Sequence, residues 1–109
     1  MYSRGDIILI PVPFSDLTAS KKRPGLVISN DNYNNANPDM IVVAITSSLI
    51  QPGIPLSNSD LTQGQLPKPS IIRCDKIYSL DKNIIVKSIG HVSTSIIDTV
   101  KTGVISLIS

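Results

Sequence analysis

Four places in this chain set polar groups at the end or in the middle of an apolar run: Arg4-Gly5-Asp6, Lys21-Lys22-Arg23-Pro24, Thr46-Ser47-Ser48 and Arg73-Cys74-Asp75. Lys21, Lys22 and Arg23 are consecutive cations at the close of a loop whose other charge is Asp16. The planar fork of arginine donors matches phosphate oxygens in pairs, so this cluster suits an anionic ligand. A solvated loop, or Arg23 paired with Asp6 or Asp16, is the alternative. Arg73 and Asp75 stand two apart in a strand-like run and so share a face. Ile71 and Ile77 should continue that face, with Ile72, Cys74 and Lys76 on the other. The pair is either a structural ion pair over the end of a barrel or an anion-binding arginine beside a proton acceptor. Thr46, Ser47 and Ser48 end the most apolar run, where hydroxyls either seed a turn or donate hydrogen bonds to a phosphate.

Other chemistries find little support. Cys74 is the single cysteine and His91 the single histidine. No intrachain disulfide or cysteine zinc cluster can form, and one histidine argues against a histidine-based metal site. No serine sits in a nucleophile elbow, and a hydrolytic triad would need His91 by chance. His91 reads as a loop or helix-flank residue before the last helix and Cys74 as a small core residue. Lys and Arg number 10 against 8 Asp and Glu, a net charge of +2. That excess is too small for a general nucleic-acid coat, so any anion site must be a local cluster of a few cations. No run approaches the roughly 18 apolar residues of a membrane span. With no secretory leader and one cysteine, a soluble cytosolic protein is expected.

The elements that must position these groups are mostly strands. The 109 residues predict one domain, 1–109, and the 41% hydrophobic content is rich in Ile, Val and Leu. Strands are predicted over 6–12, 25–29, 40–46, 51–57 (an edge strand), 70–78 and 83–89, the last two as a hairpin. Residues 14–22 read as a loop closed by Arg23-Pro24, 30–39 as turns with one helical turn, and 58–69 as a long polar loop. From Ser93, a plausible N-cap, Ile96, Ile97, Val100, Val104, Leu107 and Ile108 follow helical spacing. Strands first and one amphipathic helix last predict a mainly β fold, a small half-open barrel closed by that helix.

These motifs, in this order, resemble the MazF/PemK-like toxins of bacterial type II toxin–antitoxin systems. The carrying residues are Arg4-Gly5-Asp6-Ile7, Lys22-Arg23-Pro24 before Leu26-Val27-Ile28-Ser29, Ala44-Ile45-Thr46-Ser47, Ile72-Arg73-Cys74-Asp75 and the terminal helix. The match spans essentially the whole chain. It implies an SH3-like partly open barrel of the CcdB/MazF toxin fold, working as a homodimer in the bacterial cytosol without a cofactor. It implies cleavage of single-stranded mRNA by attack of a 2′-hydroxyl, leaving a 2′,3′-cyclic phosphate and a 5′-hydroxyl. It implies a cognate antitoxin whose acidic, disordered tail blocks the site. Carried onto this chain, Arg23 and Arg73 would clamp the phosphate, Thr46 would donate to it and Asp75 would take the 2′-hydroxyl proton. Lys21, Lys22, Asp16, Ser47, Ser48 and Tyr78 would bind the RNA. A guanidinium keeps its proton up to about pH 12, so the arginines are expected to stabilise charge rather than act as acids. The chain departs from the family at Asp16-Leu17-Thr18-Ala19-Ser20, where many members carry Gly-x-Glu and some a histidine. Base-stacking aromatics are few: Phe14, Tyr33 and Tyr78. The alternative is a non-catalytic toxin, like the CcdB relatives that poison DNA gyrase. A homodimer is also expected from the apolar strand edges such a barrel would expose.

Overall fold

The computed structural model describes residues 2–11 and 22–109, so Phe14, Asp16 and Lys21 lie outside the described residues. Seven described strands make one sheet: β1 (Asp6–Pro11), β2 (Lys22–Val27), β3 (Asp39–Thr46), β4 (Ile54–Leu56), β5 (Leu61–Gly64), β6 (Ser70–Asp81) and β7 (Lys87–Val92). Their order is β4-β6-β3-β2-β1-β7-β5, and each neighbouring pair is antiparallel. Helices α1 (Asp31–Ala36) and α2 (Thr94–Ile108) complete it. The sheet curls into a partly open barrel with α2 packed against it.

The continuous apolar runs of β1 and β3 follow from burial on both faces, which removes any need for alternation. Ile7, Val43, Ile45 and Ile72 enter a cluster completed by Ile96 and Val100 of α2. Ile8 and Val42, their neighbours in sequence, point the other way with Met40 into a second cluster with Ile10, Val27 and Ile85. α2 starts where the Ser93 Oγ accepts the Ile96 N–H at 3.3 Å, the N-cap arrangement expected at that residue. Ile96 and Val100 are buried, and Ile97 and Val104 pack beside them. Beyond Val104 the spacing stays helical but the core ends, leaving Leu107 55% and Ile108 79% exposed.

Several predicted boundaries and one predicted pairing change. β2 begins at Lys22, so Arg23-Pro24 are strand residues, not the end of a loop. The β2–β3 ladder starts only at Gly25 opposite Ala44; before it β2 is paired on its β1 side alone, where a proline is tolerated. Residues 58–69 are not one loop. They hold a 3₁₀ turn (Asn58–Asp60) and β5, a strand too short and polar to signal itself. β6 runs three residues past its predicted end at Tyr78, to Asp81. The predicted β6–β7 hairpin does not form: β3 and β4 occupy both edges of β6, and β7 pairs with β1 and β5. His91 therefore lies within β7 rather than in a loop or helix flank.

Candidate active site

Antiparallel register decides which side chains share a face, because opposed residues point to the same side and alternate residues repeat it. Gly25 lies opposite Ala44, and Ala44 lies opposite Arg73. Arg23, two residues before Gly25, and Thr46, two after Ala44, therefore share a face with Arg73 across β2, β3 and β6. Tyr78 joins them by standing opposite Val42. Three of the four predicted catalytic residues thus meet on one face, though they come from separate thirds of the chain.

Asp75 stands beside that face in a bulge. Val43 opposes Ile77 while Ala44 opposes Arg73, so residues 74–76 of β6 have no counterpart in β3. Such an insertion bends the strand and resets its alternation. Arg73 donates from Nε to Asp75 Oδ1 and from Nη2 to Asp75 Oδ2, both at 2.9 Å. Its Nη1 donates to Gln51 Oε1 at 2.6 Å. Cys74 points away, as expected, and packs under α2. Ile77 does not continue the Arg73 face as predicted: opposite Val43, it falls on the other parity. Arg73 is 14% exposed and Asp75 46%. These bonds hold the Asp75 carboxyl below its ordinary range and raise the Arg73 guanidinium further above its own. Three of five guanidinium N–H groups are used in these bonds, leaving one on each Nη for a ligand.

Arg23 stands between two clefts. One, of about 460 Å³, is lined by Lys22, Arg23, Ser47, Lys68 and Ser70. The other, of about 360 Å³, is mostly apolar and lined by Ile10, Arg23, Val42, Ala44, Tyr78 and Leu80. Asp75 instead lines a third hollow with Cys74, Gly103 and Leu107 of α2. At the end of β3 the Ser48 N–H donates to Thr46 Oγ1 at 3.1 Å. Thr46 thus seeds a turn, and its own hydroxyl proton stays available to donate outward. Asp16 and Lys21 lie outside the described residues.

Arg4-Gly5-Asp6 has a structural role. Asp6 accepts the Ser3 N–H through Oδ2 and meets His91 Nδ1 through Oδ1, each at 2.8 Å. Gly5, at φ +95°, makes the bend, and a side chain there would strike Ile97 and the His91 ring. Asp6 lies at the far end of β1 from Ile10, which faces Arg23. Two polar residues of the site carried no clear sequence signal. Gln51 sat in a proline-rich stretch read as an edge strand, and Lys68 in the stretch read as loop. The prolines on either side of Lys68 were the one available hint of an ordered segment.

Two arginines and a strand-end threonine thus share one face of a partly open barrel. Residues 3–108 match the family described as PemK-like, MazF-like toxin of type II toxin–antitoxin system. The chain belongs to that family. It is 32% identical over 95 residues to Endoribonuclease MazF of Staphylococcus saprophyticus, covering 85% of this chain and 79% of that protein. It is 30% identical over 101 residues to Endoribonuclease EndoA of Bacillus subtilis, covering 89% and 85%. Among solved structures, MazE–MazF from Deinococcus radiodurans superposes with a TM-score of 0.75 at 18% identity, covering 99% of this chain and 95% of that one. A mycobacterial endoribonuclease in complex with its cognate antitoxin gives 0.69 at 21% identity, covering 96% and 93%. These likenesses establish the partly open barrel. No helix among the described residues is long and apolar enough to cross a membrane.

Proposed function

We propose that this chain is an endoribonuclease toxin that cleaves single-stranded RNA at a phosphodiester held between Arg23 and Arg73. The observation that carries the reading is the register that puts Arg23, Thr46 and Arg73 on one face. The names of the relatives support the nuclease over a CcdB-like poison that cuts nothing.

The reaction needs an oxygen nucleophile, charge stabilisation at phosphorus and two proton transfers. RNA supplies the nucleophile: its 2′-oxygen bonds to phosphorus, the bond from phosphorus to the 5′-oxygen breaks, and a 2′,3′-cyclic phosphate results. The 2′-hydroxyl gives up a proton and the departing 5′-oxygen takes one, so no metal-activated water is required. Arg23 and the two remaining N–H groups of Arg73 stabilise the growing charge on the phosphate oxygens. Thr46 donates a hydrogen bond from its hydroxyl to the same oxygens. The proton-acceptor role expected for Asp75 fits less well, because Arg73 engages both of its oxygens and draws its pKa down, making it a weak base. Its role in this reading is to hold the Arg73 fork toward the phosphate. Lys22, Ser47, Ser48 and Tyr78 bind the flanking RNA, as do Lys21 and Asp16.

The same cations would take an acidic antitoxin tail, so tail and RNA compete for one site. We place the protein in the bacterial cytosol, as a homodimer. The described strand edges are not the reason for the dimer: β4 and β5 are only three and four residues long. Exposed Ile105, Leu107 and Ile108 at the end of α2 supply the apolar surface instead.

The test is incubation of the purified, folded protein with a mixed-sequence RNA in EDTA, with products read by mass spectrometry. Fragments ending in a cyclic phosphate, and resistance of a 2′-deoxy version of the cleaved site, are expected. Intact RNA at enzyme excess would overturn the reading.

A further inference from the structure

The sequence demands that any anion site be a local cluster, since the whole chain carries a net charge of only +2. The cleft beside Arg23 is such a cluster. Lys22, Arg23 and Lys68 converge on it with Ser47, and no carboxylate is among its described lining residues. Lys22 and Arg23 come from β2; Lys68 comes from the segment between β5 and β6, distant in sequence.

We propose that Lys68 is an RNA-binding residue and that this cleft seats the phosphate next to the one cleaved. The inference rests on the endoribonuclease reading and extends it to the path of the strand. That path runs from the apolar cleft beside Tyr78, over Arg23, to Lys68.

The display of Lys68 supports this role. Pro67 and Pro69 flank it, fixing φ on both sides and restricting Lys68 itself to extended backbone. The stretch is pinned at each end. Leu66 is 5% exposed in the core, and its N–H donates to Asn58 Oδ1 at 2.7 Å. Ser70, also buried, donates from Oγ to the Lys68 carbonyl at 2.9 Å. An exposed lysine carried on backbone held this firmly gives up little chain entropy when it meets a phosphate. Buried anchors on either side of an exposed cation between two prolines suit a binding strut better than a solvated loop tip.

The experiment measures binding of a mixed-sequence single-stranded RNA with every ribose 2′-O-methylated, so that binding is read without cleavage. Affinity is followed against salt for wild type, Arg23→Ala, Lys68→Gln and Lys68→Arg, each checked for an unchanged thermal melt. Loss of one phosphate contact lowers the slope of log affinity against log salt by about 0.7 for a single strand. Lys68→Gln should show that loss and Lys68→Arg should restore the slope. On cleavable RNA, Lys68→Gln should raise KM more than it lowers kcat. A wild-type slope in Lys68→Gln, while Arg23→Ala binds weakly, would overturn this inference alone. A wild type that binds no RNA would overturn the endoribonuclease reading as well. Weakened binding of polyglutamate by Lys68→Gln, with the RNA slope intact, would assign the cleft to an acidic peptide and also overturn it.

Discussion

Arg73 grips Asp75 across the single residue Cys74, with two hydrogen bonds of 2.9 Å each and a third donor held by Gln51. Both carboxylate oxygens are taken, yet one N–H on each Nη of the arginine remains for a ligand. In the proposed endoribonuclease reading the acid is the support and the arginine the presenting group. A carboxylate orienting a functional cation in this way costs activity when removed, even though it touches no substrate.

Asp75→Asn should lower kcat/KM by about 10- to 100-fold while leaving the shape of the pH–rate profile unchanged. Loss of the acidic limb in the variant would restore Asp75 as the base. The folded-state pKa of Asp75 is depressed by the hydrogen bonds from Arg73. The stabilisation from the pair is therefore present above the unfolded carboxylate pKa, about 3.9, and lost as pH falls through the lower folded value. An NMR titration of the Asp75 carboxyl should give a midpoint below that reference, and Arg73→Gln should move it upward.

Arg23→Ala should cost about 10²- to 10³-fold in kcat, the usual loss of one preorganised donor at a developing oxyanion. Arg23→Lys keeps the charge but not the fork, so it should recover only part of that loss. Initial rates on a defined oligonucleotide in EDTA measure both, and equal rates for Lys and Ala would show that charge is not what Arg23 supplies.

Gly103 of α2 rides over Cys74, and a Cβ at that position would meet its Sγ at 2.9 Å. Gly103→Ala should destabilise by about 1–3 kcal/mol through overpacking. In a Cys74→Ala background the same change should become neutral or stabilising by up to about 1 kcal/mol, as alanine is the better helix residue. Urea unfolding of the four proteins gives the coupling energy directly. Additive effects would place the two residues out of contact.

Asp6 ties the N-terminal turn to β7 through Ser3 and His91. Asp6→Ala leaves the part-buried Ser3 N–H without its carboxylate and should cost about 1–3 kcal/mol. The loss belongs to stability: RNA cleavage, measured well below the lowered Tm, should stay within about twofold of wild type, since Asp6 lies at the far end of β1 from Arg23. A larger fall in activity would connect Asp6 to the site.

The local sequence determined much here. Continuous apolar runs announced β1 and β3, because both faces of those strands are buried and no alternation is needed. Helical spacing and Ser93 announced α2. Residue chemistry singled out Arg23, Thr46, Arg73 and Asp75. Tertiary structure decided what local signals do not carry. Strand pairing is non-local, so β7 took its place beside β1 although β6 was nearest in sequence. The short polar β5 became a strand only because β7 offered it an edge. The bulge at 74–76 changed the parity of β6, turning Ile77 off the Arg73 face while keeping Asp75 in the grip of Arg73. Register alone brought Arg23, Thr46 and Arg73 to one side, and chain folding alone brought Lys68 to Arg23. Composition could require a cluster of cations, but only the packed sheet could select its members.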